Sequence, residues 1–491
     1  MGEPDLQGFA DKAFLKAAYQ ARAGAFLLGQ IHADHGVSFP AGISDDRHLF
    51  IMAGSRAGKG TSVLIPNLLH WQGGVFCIDP KGENASITAL RRGSADKAKG
   101  TGTTVRNFLG QEVAVIDPMG TVRGAAKRYL TPYNPLNDIE RGTDREAAQI
   151  YALTESIIID EKGSGSHFTE SAGTILAGLI EAVIHTEPKE ARHLLTVRRK
   201  YQAGMEALKD YLGGVETPAG LAVDALTILE DVGEDEGGSF STTLNRQLRW
   251  LSDPRMQRHL VGGDFSLTKA LRKNWSVYVC LPPSQINRMK RWLRALVRIA
   301  LDAKMDTLTP PAGQQTLFVL DEFYSLGHMQ LIEDAAAYMA GYGIKLVPVI
   351  QNIGQVQKLY ERNWETFLGN AGAIIAWGLN DLESEKYLSD RMGNVLTWEI
   401  SRSLGTSKKP YQFSPDSVSE NQSAALHERP VRRPNEIHED GTRETMRAFI
   451  IPASSPPFMV RRVNYMDTNG TGLFDSPQAI EEWEARYGKG T

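Results

Sequence analysis

Ile51-Met-Ala-Gly-Ser-Arg-Ala-Gly-Lys-Gly-Thr-Ser62 decides the fold of this chain. An apolar run, His48 to Met52, leads into the stretch and a second begins at Val63, so it joins a strand to a helix. That is where a phosphate-binding loop belongs. Its glycines let the backbone bend until several N–H groups converge on one anion, Lys59 can reach outer phosphates, and a nearby hydroxyl can bind Mg²⁺. Gly54, Ser55, Arg56, Ala57, Gly58, Lys59, Gly60, Thr61 and Ser62 are the residues expected to hold a nucleoside triphosphate. The usual spacing puts glycine at 53 and Ser or Thr at 60, whereas this chain has Ala53 and Gly60. An ordinary glycine-rich turn is the bland alternative, and Gly58-Lys59 between strand and helix argues against it.

Outward from the loop, short β-rich runs alternate with helical patterns. Arg47–Ala53, Gly74–Asp79, Val113–Asp117, Trp275–Leu281, Thr316–Asp321, Ile344–Gln351 and Ala371–Trp377 read as strands, several of them continuously apolar and so buried on both faces. This predicts a parallel α/β sheet with its chemistry beyond the carboxyl edge, where Asp79, Asp117, Asp321 and Gln351 stand. From about Arg145 to Lys273 the strand signal fades, and Ile175, Leu176, Leu179, Ile180, Val183 and Ile184 recur at helical spacing. The expected division is a nucleotide-binding domain over 1–144 and 274–491 with an all-α domain, 145–273, inserted in it. Ser401 to Glu436 is polar and without periodicity, and is expected to be a mobile surface loop.

Leu317-Phe-Val-Leu-Asp-Glu322 is the second nucleotide motif. A strand that delivers adjacent carboxylates suits a triphosphatase, in which Asp321 holds Mg²⁺ through water and Glu322 polarises the attacking water. Gln351 is placed to sense the γ-phosphate. Lys81 and Glu83, in the turn Asp79-Pro-Lys-Gly-Glu-Asn84, suit a nucleotide or subunit contact, or a plain turn. On the helical stretch Asn287–Ala300, Arg291, Arg294 and Arg298 lie opposite Trp292, Leu293, Leu296, Val297 and Ala300, so they form either a solvated face or a stripe for DNA or a neighbouring subunit.

Composition bounds the rest. The chain of 491 residues carries a formal charge of −4, so any nucleic acid must meet a local patch. Cys77 and Cys280 sit in apolar runs and read as reduced core residues, and no histidine has metal-ligand spacing. No apolar run approaches the roughly 18 residues that span a bilayer, so a cytoplasmic protein is expected.

These motifs, in this order, resemble the TraG/TraD class of type IV coupling proteins. The likeness rests on Gly54-Ser-Arg-Ala-Gly-Lys-Gly-Thr61 with Ile65-Pro-Asn-Leu68, on Asp79-Pro-Lys-Gly-Glu-Asn84, on Tyr133-Asn-Pro-Leu136, on Leu320-Asp-Glu-Phe323, and on Gly341-Tyr-Gly-Ile344 leading to Gln351. The Gly-Lys-Gly loop looks like this family's own variant. The resemblance implies a RecA-like P-loop domain with an inserted helical domain, and ATP and Mg²⁺ between subunits of a homo-hexamer, with a monomer as the alternative for a soluble form. It also implies relaxase-bound single-stranded DNA or effector proteins as cargo. The implied partners are the secretion channel and its accessory ATPases at the cytoplasmic face of the bacterial inner membrane. An arginine often found before Gly341 is Ala340 here, which leaves Lys345 as the nearest cation for an interface role. An idle substrate receptor and a general double-stranded DNA translocase are the rival readings.

Overall fold

The structure is a computed structural model that describes residues 7–22, 24–32, 38–101, 108–159, 166–231, 234–305, 315–407 and 417–466. All seven apolar runs are strands: β3 (Leu49–Ala53), β4 (Val75–Asp79), β5 (Val113–Ile116), β6 (Ser276–Cys280), β7 (Thr316–Leu320), β8 (Ile344–Ile350) and β9 (Ala373–Trp377). Four more, β1 (Phe26–His32), β2 (Ser38–Ile43), β12 (Arg447–Pro452) and β13 (Phe458–Arg461), extend the same sheet. Its order is β2-β1-β13-β12-β9-β3-β8-β7-β4-β6-β5. From β9 to β5 every neighbouring pair is parallel, and from β9 to β2 every pair is antiparallel.

Alternate residues of the parallel strands feed two different cores, which is why the runs are apolar throughout. Phe50, Met52, Phe76, Ile78, Phe318 and Leu320 belong to one cluster, which includes Trp292, Leu293 and Leu296 of the helix Pro283–Met305. Leu49, Ile51, Val75, Cys77, Leu317 and Val319 belong to the other, with Leu68 of the helix Ile65–His70 and Ala89 and Leu90 of the helix Glu83–Arg92. Cys77 and Cys280 are buried free thiols.

Between β5 and β6 the described residues form helices and short 3₁₀ turns but no strand. Ile175, Leu176, Leu179, Ile180, Val183 and Ile184 are buried there, in the same cluster that covers the first sheet face. The helical segment and the sheet thus share one continuous apolar core.

Of the stretch expected to be a mobile loop, 408–416 lie outside the described residues, and the described parts on either side are regular structure. β10 (Asn394–Ser407) and β11 (Ser417–Pro430) pair antiparallel from Asn394↔Pro430 to Ser407↔Ser417, and the helix Pro434–Asp440 follows. A two-stranded ribbon outside the main sheet takes its order from backbone hydrogen bonds between its strands.

Arg92, at the end of the helix Glu83–Arg92, is fully buried with no carboxylate among its hydrogen-bond partners. Its guanidinium donates to the Leu68, Trp71 and Gly73 carbonyls and to Ser276 Oγ and Gln111 Oε1, at 2.5 to 2.9 Å. It joins the end of the helix that follows the phosphate loop to the starts of β4 and β6. Burial lowers its pKa to about 10, still well above neutrality. Arg92→Ala strands buried carbonyls and should cost about 3 kcal/mol or more; the shift of the urea unfolding midpoint measures it, and Arg92→Lys, with three donors for five, should recover only part.

Candidate nucleotide-binding site

The loop Gly54–Lys59 leaves β3 at the carboxyl edge of the sheet, and its shape requires glycine at two places. A Cβ on Gly54 would lie 1.8 Å from the Gly378 carbonyl oxygen at the end of β9, and Gly58 has φ of +82°. Gly60 has neither demand, for a Cβ there meets nothing within 4 Å. Gly60–Leu64 is a π-helical turn in which Ile65 N–H donates to Gly60 O, a wide turn that recurs at functional sites. The Ala57 carbonyl is held from two directions, by Trp377 Nε1 at 2.8 Å and an Arg462 Nη at 2.6 Å. Arg56 is exposed with φ of +59°.

Lys59 carries the electrostatics. Its Nζ lies 3.0 Å from Asp321 Oδ1 and 3.5 Å from Glu322 Oε1, just beyond the end of β7. Burial works against the ammonium charge, but the two carboxylates outweigh it and hold the pKa above the ordinary lysine value. Glu322 takes φ of +64°, a left-handed conformation costly for a residue with a Cβ and concentrated at functional sites. Asp321 Oδ1 is buried and ion-paired, yet accepts no well-aligned hydrogen bond.

Asp79, at the end of β4 and unassigned by the sequence reading, stands in the same wall. Its Oδ1 accepts from Glu83 N–H at 3.1 Å and its Oδ2 from Ala85 N–H at 2.8 Å, which caps the helix Glu83–Arg92. Burial pushes its pKa to about 7, with the Ala85 hydrogen bond opposing and the Asp321 charge assisting.

A cavity of about 290 Å³ unites these groups. It is lined by Arg56–Ser62, Asp79–Lys81, Glu83, Asn84, Pro283, Asp321 and Glu322, and also by Arg443, Met446, Arg462 and Asn464. Lys81 is exposed at it and Ser62 is buried. Thr61 Oγ1 donates to Gly58 O at 3.1 Å, which leaves its lone pairs to accept or coordinate. The positive-φ cradle at Gly58 and the under-satisfied Asp321 oxygen fit a phosphate and a hard divalent cation. Gly54, Ser55 and Gln351 are absent from the lining, and Gln351 N–H is taken by Gln355 Oε1 at 2.9 Å. The sequence reading missed Arg443, Met446, Arg462 and Asn464, which belong to no motif and adjoin the loop only through the fold.

Two interface expectations need correction. Lys345 is 1% exposed at the opposite edge of the sheet, where its ammonium donates to the Asp45 and Arg47 carbonyls, the latter at 2.8 Å, and burial lowers its pKa to about 8. It offers no cation to a neighbour. Nor do Arg291, Arg294 and Arg298 form a free stripe. Arg291 donates to Gln247 Oε1, Arg294 to the Leu326 and His328 carbonyls at 3.0 and 2.6 Å, and Arg298 pairs with Asp302 and Glu155. All three are half-buried and held by partners, Arg291 and Arg294 from other elements and Arg298 from Glu155 and its own helix, so these arginines join elements together.

This fold defines a protein of the P-loop class with a mainly parallel sheet and a helical region. The chain belongs to the family described as Type IV secretory system Conjugative DNA transfer, which matches residues 4–486. It is 26% identical over 376 residues to the conjugal transfer protein TraG of Escherichia coli, covering 72% of this chain and 56% of that protein. It is 25% identical over 431 residues to the type IV secretion system-coupling protein VirD4 of Bartonella quintana (strain Toulouse), covering 85% of this chain and 62% of that one. The chain therefore spans about three fifths of the length of these relatives. Its fold resembles the plasmid coupling protein TrwB in complex with ADP and Mg²⁺, with a TM-score of 0.63, 13% identity, and coverage of 95% of this chain and 96% of that one. No helix among the described residues is long and apolar enough to cross a membrane.

The Asp79 environment makes a signed prediction. An unfolded carboxyl sheds its proton near its ordinary 3.8, whereas the folded one keeps it to about pH 7. The stability this lends is complete below about pH 4 and is lost as pH rises through 7. Urea unfolding across that range should show wild-type stability declining relative to Asp79→Asn, and parallel profiles would refute it.

Proposed function

We propose that this chain is an ATPase of a type IV secretion or conjugative transfer system, a receptor and motor that passes relaxase-bound single-stranded DNA or effector proteins to the secretion channel. One observation carries the catalytic part: Lys59 of the loop is ion-paired to both Asp321 and Glu322, so two motifs far apart in sequence meet in one cavity. Phosphates over the Gly54–Lys59 backbone would draw the ammonium away from the carboxylates. That frees Glu322 to orient and polarise a water against the γ-phosphate. Asp321, through water, and Thr61 or Ser62 would hold Mg²⁺, which supplies charge neutralisation to the phosphates when bound.

The family match and the TrwB likeness support the wider setting. In this reading 1–144 and 274–491 form the motor domain and 145–273 the inserted helical domain that helps select cargo. The motor works as a homo-hexamer at the cytoplasmic face of the inner membrane, beside the channel and its accessory ATPases. Gln351 relays the state of the γ-phosphate from the end of β8, and Lys81 and Glu83 meet a neighbouring subunit.

The purified chain should hydrolyse ATP with Mg²⁺, faster with DNA or on assembly. Lys59→Ala and Glu322→Gln should lower turnover by roughly a hundredfold or more, and Glu322→Gln should still bind ATP. Wild-type turnover no higher than that of both variants under assembling conditions would instead identify an idle receptor.

A further inference from the structure

The order of the sheet gives the nucleotide cavity two ends. Asp321 and Glu322 follow β7, which lies on one side of β3 with β8 between them. On the other side come β9, β12 and β13. Because β12 is antiparallel to both its neighbours, β13 runs in the direction of β3. The start of β12 and the end of β13 therefore stand at the carboxyl edge, and they bring Arg443, Met446, Arg462 and Asn464 to the cavity.

Two hydrogen bonds fix this segment to the phosphate loop. Arg462 reaches Ala57 O at 2.6 Å, and Tyr465 N–H donates to Thr61 O at 3.1 Å. Arg462 also donates to the Thr442 and Arg447 carbonyls at 3.0 and 3.2 Å, so it works as a peg. Arg443, by contrast, is exposed, with no hydrogen bond or ion pair to the other described residues. Met446 lines the cavity from a backbone with φ of +54°, unusual for any residue but glycine. Asn464 Oδ1 accepts Met466 N–H at 3.1 Å, which leaves its amide hydrogens to offer. Every carboxylate in the lining, Asp79, Glu83, Asp321 and Glu322, belongs to β4, the helix that follows it, or the turn after β7.

We infer that this C-terminal wall is the nucleoside half of the site, with the base held between the Arg443 guanidinium and the Met446 side chain and the ribose beside Asn464. The inference rests on the ATP reading above and extends it. Lys59 and its two carboxylates mark where the outer phosphates end, so the base and sugar extend the other way. There the wall offers a planar cation and a thioether, both of which pack well on an aromatic ring, and an amide donor for a hydroxyl.

Calorimetric titration of the full chain with ATP and with inorganic tripolyphosphate, both with Mg²⁺, tests this. Arg443→Ala removes an exposed side chain, and Met446→Gly relieves the left-handed backbone, so both variants keep the fold. Each should weaken ATP binding by roughly fivefold, the loss of one stacking contact, and leave tripolyphosphate binding within twofold of wild type. ATP affinity unchanged in both variants, equal losses for the two ligands, or wild-type protein that binds tripolyphosphate as tightly as ATP would each overturn the inference. Wild-type protein that binds neither ligand would remove the ATP reading itself.

Discussion

A lysine ammonium confined between two carboxylates organises this molecule. Lys59 can remain charged in a partly buried place only because Asp321 and Glu322 face it. Those acids reach it because β7 lies just one strand away from β3. That adjacency in turn needs the long connection from β4 through the helical region to β6, and the helix Pro283–Met305 across the sheet. In the proposed function the phosphates of a ligand would compete with these carboxylates for the same cation.

The carboxyl edge gathers the remaining parts. Parallel strands end there by construction, which accounts for Asp79, Asp321 and the loop itself. The antiparallel extension adds something parallel strands alone do not, for it returns a late part of the chain to the same edge and sets Arg462 against the loop. The Ala57 carbonyl, shared by Trp377 and Arg462, then fixes the loop from two strands at once.

The seven parallel strands were legible because both faces of each are buried, which writes an apolar run into the sequence. Phe26–His32 is interrupted by Gly29 and Gln30, and Phe458–Arg461 has only four residues, so periodicity passed over them. The phosphate loop and the Asp-Glu pair could be read because each is contiguous. Arg462 could not, for it stands 405 positions from the carbonyl it holds. The arginines of Pro283–Met305 show the converse limit. Helical spacing told which residues share a face, and only the fold told that Gln247, Leu326 and His328 accept hydrogen bonds from its arginines. Lys345 was given an interface role for a similar reason, as the cation nearest Gly341-Tyr-Gly-Ile344 in sequence, and only the fold told that the Asp45 and Arg47 carbonyls hold it.

The peg at Arg462 also governs timing. A ribosome releases the phosphate loop well before its anchor, for the residue that pins Ala57 emerges only after more than 400 further residues. β1, near the amino terminus, likewise waits for β13 as its partner. Contacts between such distant parts of a chain form late and slowly. A partly made chain thus carries the loop motif without its anchor at Arg462, and the loop gains that anchor only after the 405 positions between them have been made.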